Sequence, residues 1–128
     1  MVVDTSVFIA TMANEPDHER YLEALLRASS RTMSAGNYLE CAIVVQGRRF
    51  GAREDLDDWL KLREITVLPV DLDLARLAAD AFDRYGKGRH PAGLNYGDCF
   101  VYALARARRE PVLSKGGEFG KTDIAVVG

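Results

Sequence analysis

The sequence predicts a three-layer α/β/α sandwich with a short central parallel sheet, and three observations lead there. Short β-branched or aliphatic runs, such as Met1-Val-Val3 and Ile65-Thr-Val-Leu68, alternate with longer stretches whose apolar residues recur at helical spacing. That alternation is the pattern of strands laid side by side with helices covering both faces. The chain has 128 residues, 48% hydrophobic and 28% charged, enough for one core, and no Pro- or Ser-rich linker divides it. A single domain over residues 1–128 is expected.

Taken in order, Met1-Val-Val3 reads as a buried strand ended by Asp4, and Thr5 or Ser6 caps a first helix through Val7, Phe8, Ile9 and Met12. Pro16 begins a second helix, with Tyr21, Leu22, Leu25 and Leu26 along one stripe. Arg31-Thr-Met-Ser34 is a short strand leading to an Asn37 cap, and the helix from Tyr38 to about Phe50 is closed by Gly51. Leu56, Trp59 and Leu60 mark a fourth helix, and Ile65-Thr-Val-Leu68 is a strand ended by Pro69. Asp71 caps a fifth helix carrying Leu74, Ala75, Ala78, Phe82 and Tyr85. The loop Gly86–Asn95, "GKGRHPAGLN", precedes a sixth helix, Pro111-Val-Leu113 is a last inner strand, and "SKGGEFGKTD" leads to Ile124–Val127.

Two stretches echo one another: Asn37-Tyr-Leu-Glu40 and Asn95-Tyr-Gly-Asp98 each set an acid three residues after an Asn, ahead of an apolar run. Each matches a capping box, in which the two side chains satisfy free backbone donors of the first helical turn. An acid there also meets the positive end of the helix dipole. Capping alone accounts for either acid, and a function requires further acids at the same place.

Composition narrows the classes. Seventeen basic against nineteen acidic residues give a net charge of −2, so bulk electrostatics do not attract nucleic acid and any such partner needs a local basic patch. Cys41 and Cys99 sit inside apolar runs and read as buried free thiols, with no zinc-ligand spacing around them. No basic n-region with an apolar h-region opens the sequence, and no apolar run approaches membrane-spanning length, so a cytoplasmic protein without a membrane partner is expected.

In open parallel sheets, ligands gather beyond the carboxyl ends of the strands. Asp4 ends the first strand, Glu40 and Asp98 open helices, and Glu118 follows the strand of Val112 and Leu113, with Asp123 close behind. If these acids meet, two carboxylates about 5 Å apart repel by roughly 3 kcal/mol at an effective dielectric of about 20. Protons or a cation would relieve that repulsion. Oxygen-only ligands favour Mg²⁺ or Mn²⁺ over zinc, and a carboxylate cage of that kind suits phosphodiester hydrolysis.

The segments "VVDTS", "YLE" at Tyr38–Glu40, "KGRHPAGLNYGDC" at Lys87–Cys99 and "KGGEFGKTD" at Lys115–Asp123 resemble, in order and over essentially the whole chain, the VapC-type toxins. Those are PIN-domain ribonucleases of type II toxin–antitoxin systems. The resemblance implies a PIN fold, Mg²⁺-dependent (or Mn²⁺-dependent) cleavage of structured RNA to a 5′-phosphate and a 3′-hydroxyl, inhibition by a cognate VapB-like antitoxin, and a homodimer. It also assigns the family's first three acids to Asp4, Glu40 and Asp98. The family's fourth acid is usually an Asp before Phe, and here that position is Glu118, one methylene longer.

Supporting roles follow from position. Thr5 or Ser6 either bonds the scissile phosphate or simply caps the first helix, and Asp123 is either an outer ligand or a bond to local backbone. Lys87, Arg89 and His90, with Lys115, form a local basic patch expected to contact RNA phosphates. The apolar stripes of the second and fourth helices suit either the core or a groove for an antitoxin helix. "EFGKT" lacks the first glycine of a P-loop, because position 115 is Lys. Two alternatives use the same acids or the same scaffold: a non-catalytic RNA-binding PIN module, and a metal-dependent DNA nuclease.

Overall fold

The computed structural model describes residues 1–128. Its strands are only two or three residues long: β1 (Val2–Val3), β2 (Thr32–Ser34), β3 (Thr66–Leu68) and β4 (Val112–Leu113). Six helices connect and follow them: α1 (Thr5–Met12), α2 (His18–Arg27), α3 (Ala35–Arg48), α4 (Arg53–Leu62), α5 (Leu72–Tyr85) and α6 (Tyr96–Arg108). A 3₁₀ turn at Phe119–Lys121 follows β4. All pairings are parallel, as the alternating pattern predicts, and the strand order is β3-β2-β1-β4.

Side chains of neighbouring strand residues point to opposite faces, and here that alternation builds the three layers. Val3, Met33 and Leu113 enter a core shared with Phe8, Leu25, Cys41, Val45, Leu56 and Trp59, on the α1–α4 side. Val2 and Val112 enter the opposite core with Leu74, Ala78, Tyr85, Val101, Leu104 and Phe119, on the α5–α6 side. Cys41 and Cys99 are both free and buried, as expected. The tail also joins the sheet edge: Val126 lies parallel to Val112, through Val112 N–H to Ala125 O (2.9 Å) and Val127 N–H to Val112 O (2.9 Å).

Three helix starts differ from expectation. Asp4, rather than Thr5 or Ser6, caps α1, its carboxylate accepting from Ser6 N–H at 3.3 Å. Pro16 lies two residues before α2, which begins at His18. Asn37 does not cap α3: the helix begins at Ala35, and the Ser34 hydroxyl accepts from Gly36 N–H at 3.0 Å. A hydroxyl at the end of β2, already in extended backbone, caps the helix two residues sooner and leaves Asn37 inside the first turn, fully buried. The Asn95–Asp98 capping box forms as expected, with Asp98 N–H to Asn95 Oδ1 at 2.9 Å and Asn95 N–H to Asp98 Oδ2 at 3.0 Å. Gly51 does not close α3; the helix ends at Arg49, in left-handed backbone (φ 56°). No helix is long and apolar enough to cross a membrane.

Candidate active site

Strand order reverses at β1, which has β2 on one side and β4 on the other. A crevice opens beyond the carboxyl ends of strands at such a point. Asp4 follows β1, Ser114 follows β4, and the first turns of α3 and α6 face each other across the gap. A depression of about 360 Å³ is lined there by Asp4, Thr5, Ser6, Glu40, Asp98 and Glu118. Four acids far apart in sequence therefore share one wall-to-wall space.

Three of the four are held by one oxygen. Asp4 Oδ2 accepts from Ser6 Oγ (2.5 Å), Ser6 N–H (3.3 Å) and Ser114 Oγ (3.0 Å). Glu40 Oε1 accepts from Thr5 Oγ1 (2.5 Å) and Asn37 Nδ2 (3.3 Å), and Asp98 Oδ2 accepts from Asn95 N–H (3.0 Å). In each carboxylate the second oxygen receives no protein donor. Glu118 receives none at either oxygen and rests against Gly116.

Asn37 ties two of these positions together, because its Nδ2 also donates to Gly97 O at 3.0 Å, next to Asp98 on α6. The glycine at 97 matters as well: a Cβ there would collide with the Glu40 carboxylate.

The electrostatics reflect the crowding. Burial pushes the Asp4 carboxyl above the usual carboxylate range, against the hydrogen bonds from Ser6 and Ser114 that pull it down. The Asp98 carboxyl is raised to about 7, chiefly by burial, with the charges of Asp4, Glu118 and Glu40 adding to it and the Asn95 backbone bond opposing it. Raised carboxyl pKa values clustered in one cleft are a mark of functional sites.

The donor set fits a hard divalent cation in kind, being all oxygen, with one unengaged oxygen on each oriented acid. As the side chains stand, no three acids converge within reach of a single ion.

The remaining expected site residues fall in different places. Thr5 and Ser6 line the depression, and their hydroxyls donate to Glu40 and Asp4 rather than capping α1. Lys115 lines it too, but its ammonium is held by Glu15 (2.7 Å) and Asp17 (3.2 Å). Lys87, Arg89 and His90 do not line it. His90 packs edge-on against Tyr85 (4.9 Å) and accepts from Ala92 N–H at 3.0 Å, while the Arg89 guanidinium lies over Phe82. Asp123 is outside the depression: Tyr102 Oη donates to it at 2.6 Å, and Arg106 and Arg84 pair with it at 3.0 and 3.5 Å. Its partners are side chains, not local backbone, and it belongs to the α6–tail contact.

Sequence reasoning missed Ser114, Asn37 as a bridge, and Arg48, which lines the depression with Val44. The spacing Glu40, Val44, Arg48 puts all three on one face of a helix, which was the available signal. A larger recess of about 730 Å³ lies at the opposite end of the sheet, beside Ser30 and Pro111. Its acids are already paired, Glu23 with Arg27 and Glu110 with Arg108.

The profile of the PIN domain matches residues 1–125. The chain is 50% identical to "Ribonuclease VapC" of Mycolicibacterium smegmatis, covering 99% of both chains. Its fold matches Mycobacterium tuberculosis VapC20, described as a sarcin-ricin loop cleaving toxin, with a TM-score of 0.75, 21% identity, and 98% and 97% of the two chains covered. It also matches a chain of a toxin–antitoxin complex from Klebsiella pneumoniae, with a TM-score of 0.73, 15% identity, and 98% and 95% covered. This chain belongs to the PIN-domain family and, within it, to the VapC-type proteins.

Proposed function

We propose that this chain is the toxin of a type II toxin–antitoxin module: a cytoplasmic endoribonuclease that hydrolyses phosphodiester bonds in structured RNA and is inhibited by a VapB-like antitoxin. The observation that carries the reading is the gathering of Asp4, Glu40, Asp98 and Glu118, from four separate segments, in one depression. Membership among the VapC-type proteins supports the reaction class, and the fold shared with a chain of a toxin–antitoxin complex supports the partner.

In this reading the four acids hold Mg²⁺ or Mn²⁺. A divalent cation bound there supplies Lewis-acid stabilisation of the charge that develops during phosphodiester hydrolysis. The chain's own residues do the rest. Ser6 and Ser114 fix the Asp4 carboxylate through Oδ2, leaving Oδ1 for the ligand. Thr5 and Asn37 do the same for Glu40, and the backbone of Asn95 for Asp98. Each fixed acid sits on an element anchored in the core, so orientation is settled before substrate arrives. Asp98 would bind such a cation as the carboxylate. Glu118, whose carboxylate accepts no hydrogen bond from the protein, would be the fourth acid of the set. Lys87 and Arg89 guide RNA phosphates from outside the depression.

Two copies associate through the strip of Leu39, Ile43 and Tyr96, which are 60%, 62% and 81% exposed. Leu39 and Ile43 lie one turn apart on α3, and Tyr96 stacks edge-on with Phe100, whose ring lies against Gly36 of α3.

The decisive experiment is incubation of total cellular RNA with purified protein in Mg²⁺, in Mn²⁺ and in chelator, beside Asp98→Asn. Discrete cation-dependent fragments that vanish in the variant are expected. Intact RNA in every lane, with folded protein, would sink the enzyme reading and favour an RNA-binding module.

A further inference from the structure

Five carboxylates line the depression, those of Asp4, Glu15, Glu40, Asp98 and Glu118, against two cations, Arg48 and Lys115. A nucleic-acid strand entering such a space brings further negative charge. Lys115 is committed to Glu15 and Asp17 and moves only by breaking both pairs. Arg48 is exposed and makes neither an ion pair nor a side-chain hydrogen bond. It is therefore the free cation of the site, and it was not among the residues the sequence marked.

Its position is set by α3. Glu40, Val44 and Arg48 follow one another at four-residue intervals on the wall of the depression. At 1.5 Å per residue, the Arg48 Cα lies roughly 12 Å along the helix from that of Glu40. That separation is too long for a contact with the bond being cut and suits a phosphate farther along the same strand. A guanidinium offers paired N–H donors matched to phosphate oxygens, a geometry an ammonium lacks.

We propose that Arg48 binds a phosphate of the RNA strand flanking the scissile bond, so that the strand runs along α3 from Glu40 past Val44. The assignment rests on the depression being the RNA site. The alternative role is structural: Arg48 stands in the last turn of α3, where a cation complements the helix dipole.

The test uses binding and turnover together. A fluorescently labelled, mixed-sequence single-stranded oligoribonucleotide is titrated with Asp98→Asn protein over a range of KCl, with and without Arg48→Gln or Arg48→Lys. Lys61→Gln, on α4 and outside the depression, controls for loss of a positive charge anywhere. Arg48→Gln is expected to weaken binding about tenfold and to lower the slope of log K against log salt by about 0.7, the value for one phosphate contact on a single strand. Arg48→Lys should keep the slope and lose part of the affinity, and Lys61→Gln should change neither.

In protein with Asp98 intact, Arg48→Gln should raise KM with kcat nearly kept, as expected for uniform binding of a part of the substrate that does not react. A purely dipolar role would lower thermal stability and leave the salt slope alone. An unchanged slope in Arg48→Gln, or an equal change in Lys61→Gln, overturns the assignment even if wild-type protein cleaves RNA. Absence of cleavage with the Arg48 effect intact overturns the ribonuclease reading and leaves Arg48 as an RNA contact. No binding by any variant overturns both.

Discussion

Gly97 and Gly116 each lie where a Cβ would strike a carboxylate, that of Glu40 and that of Glu118. Gly97 sits inside α6, where alanine is the better helix former by about 1 kcal/mol. The obstructing atoms are the far end of a flexible side chain, so the fold yields easily and the acid is displaced. Gly97→Ala is expected to keep or raise the melting temperature while cleavage falls by one to two orders of magnitude, on the order of the loss that ~1 Å of misplacement causes. A matching fall in stability and cleavage would show that the glycine serves folding instead.

Asp98 gives a pH prediction at the same scale. An unfolded Asp titrates near 3.9, and in the fold this carboxyl titrates at about 7. The folded value is raised, so the stability it lends is complete below about pH 4 and is lost as pH rises towards 7. Asn mimics the protonated form and can still cap Asn95. In chelator, Asp98→Asn should melt close to wild type at pH 4 and above it at pH 8. Millimolar Mn²⁺ at pH 8 should raise the wild-type melting temperature more than that of the variant and narrow the gap, because a carboxylate gains more from the ion than an amide does. A constant difference across pH would contradict the raised value.

Among the elements, α3 and α6 carry the second and third acids, and each ends on an arginine in left-handed backbone, Arg49 at φ 56° and Arg109 at φ 54°. Glycine takes that conformation without the Cβ penalty. Arg109→Gly should therefore stabilise the protein by about 0.5–1 kcal/mol, read as a higher urea midpoint at unchanged m-value. A lower midpoint would mean that the Arg109 side chain contributes more than its backbone costs.

The same two helices show what was legible in the chain and what was not. The Asn95–Asp98 box was readable because nothing upstream competes for the cap. The identical pattern at Asn37–Glu40 misled, because Ser34 two residues earlier takes the cap and the buried Asn37 turns to bridge Glu40 and Gly97. Alternating runs revealed three layers and six helices, since periodicity is local. Strand order, the Val126–Val112 bridge, the Ser114 bond to Asp4 and the Arg84–Asp123 pair all join residues distant in sequence, which no local pattern records. The acids stood out in the chain because each was expected to start a helix or follow a strand, although Glu40 lies in the second turn of α3, and Arg48 was missed because it does neither.

For the molecule as a whole, Leu39 and Ile43 of α3 and Tyr96 of α6 are exposed apolar side chains on the two acid-bearing helices themselves. Ile43→Glu places a charge among them without touching either core. Light scattering should find wild type dimeric and this variant monomeric, with unchanged circular dichroism. A monomeric wild type would remove the dimer from the account.

The pairing of β1 with β4 carries a last consequence. Asp4 N–H bonds to Leu113 O at 3.0 Å, Val2 N–H bonds to Pro111 O at 2.9 Å, and Ser114 and Glu118 lie just beyond. During synthesis the first acid emerges early but waits for its neighbours until residues 111–118 have left the ribosome. A chain stopped anywhere before Val112 lacks the strand that pairs with β1, together with Ser114 and Glu118, and is expected to cleave no RNA.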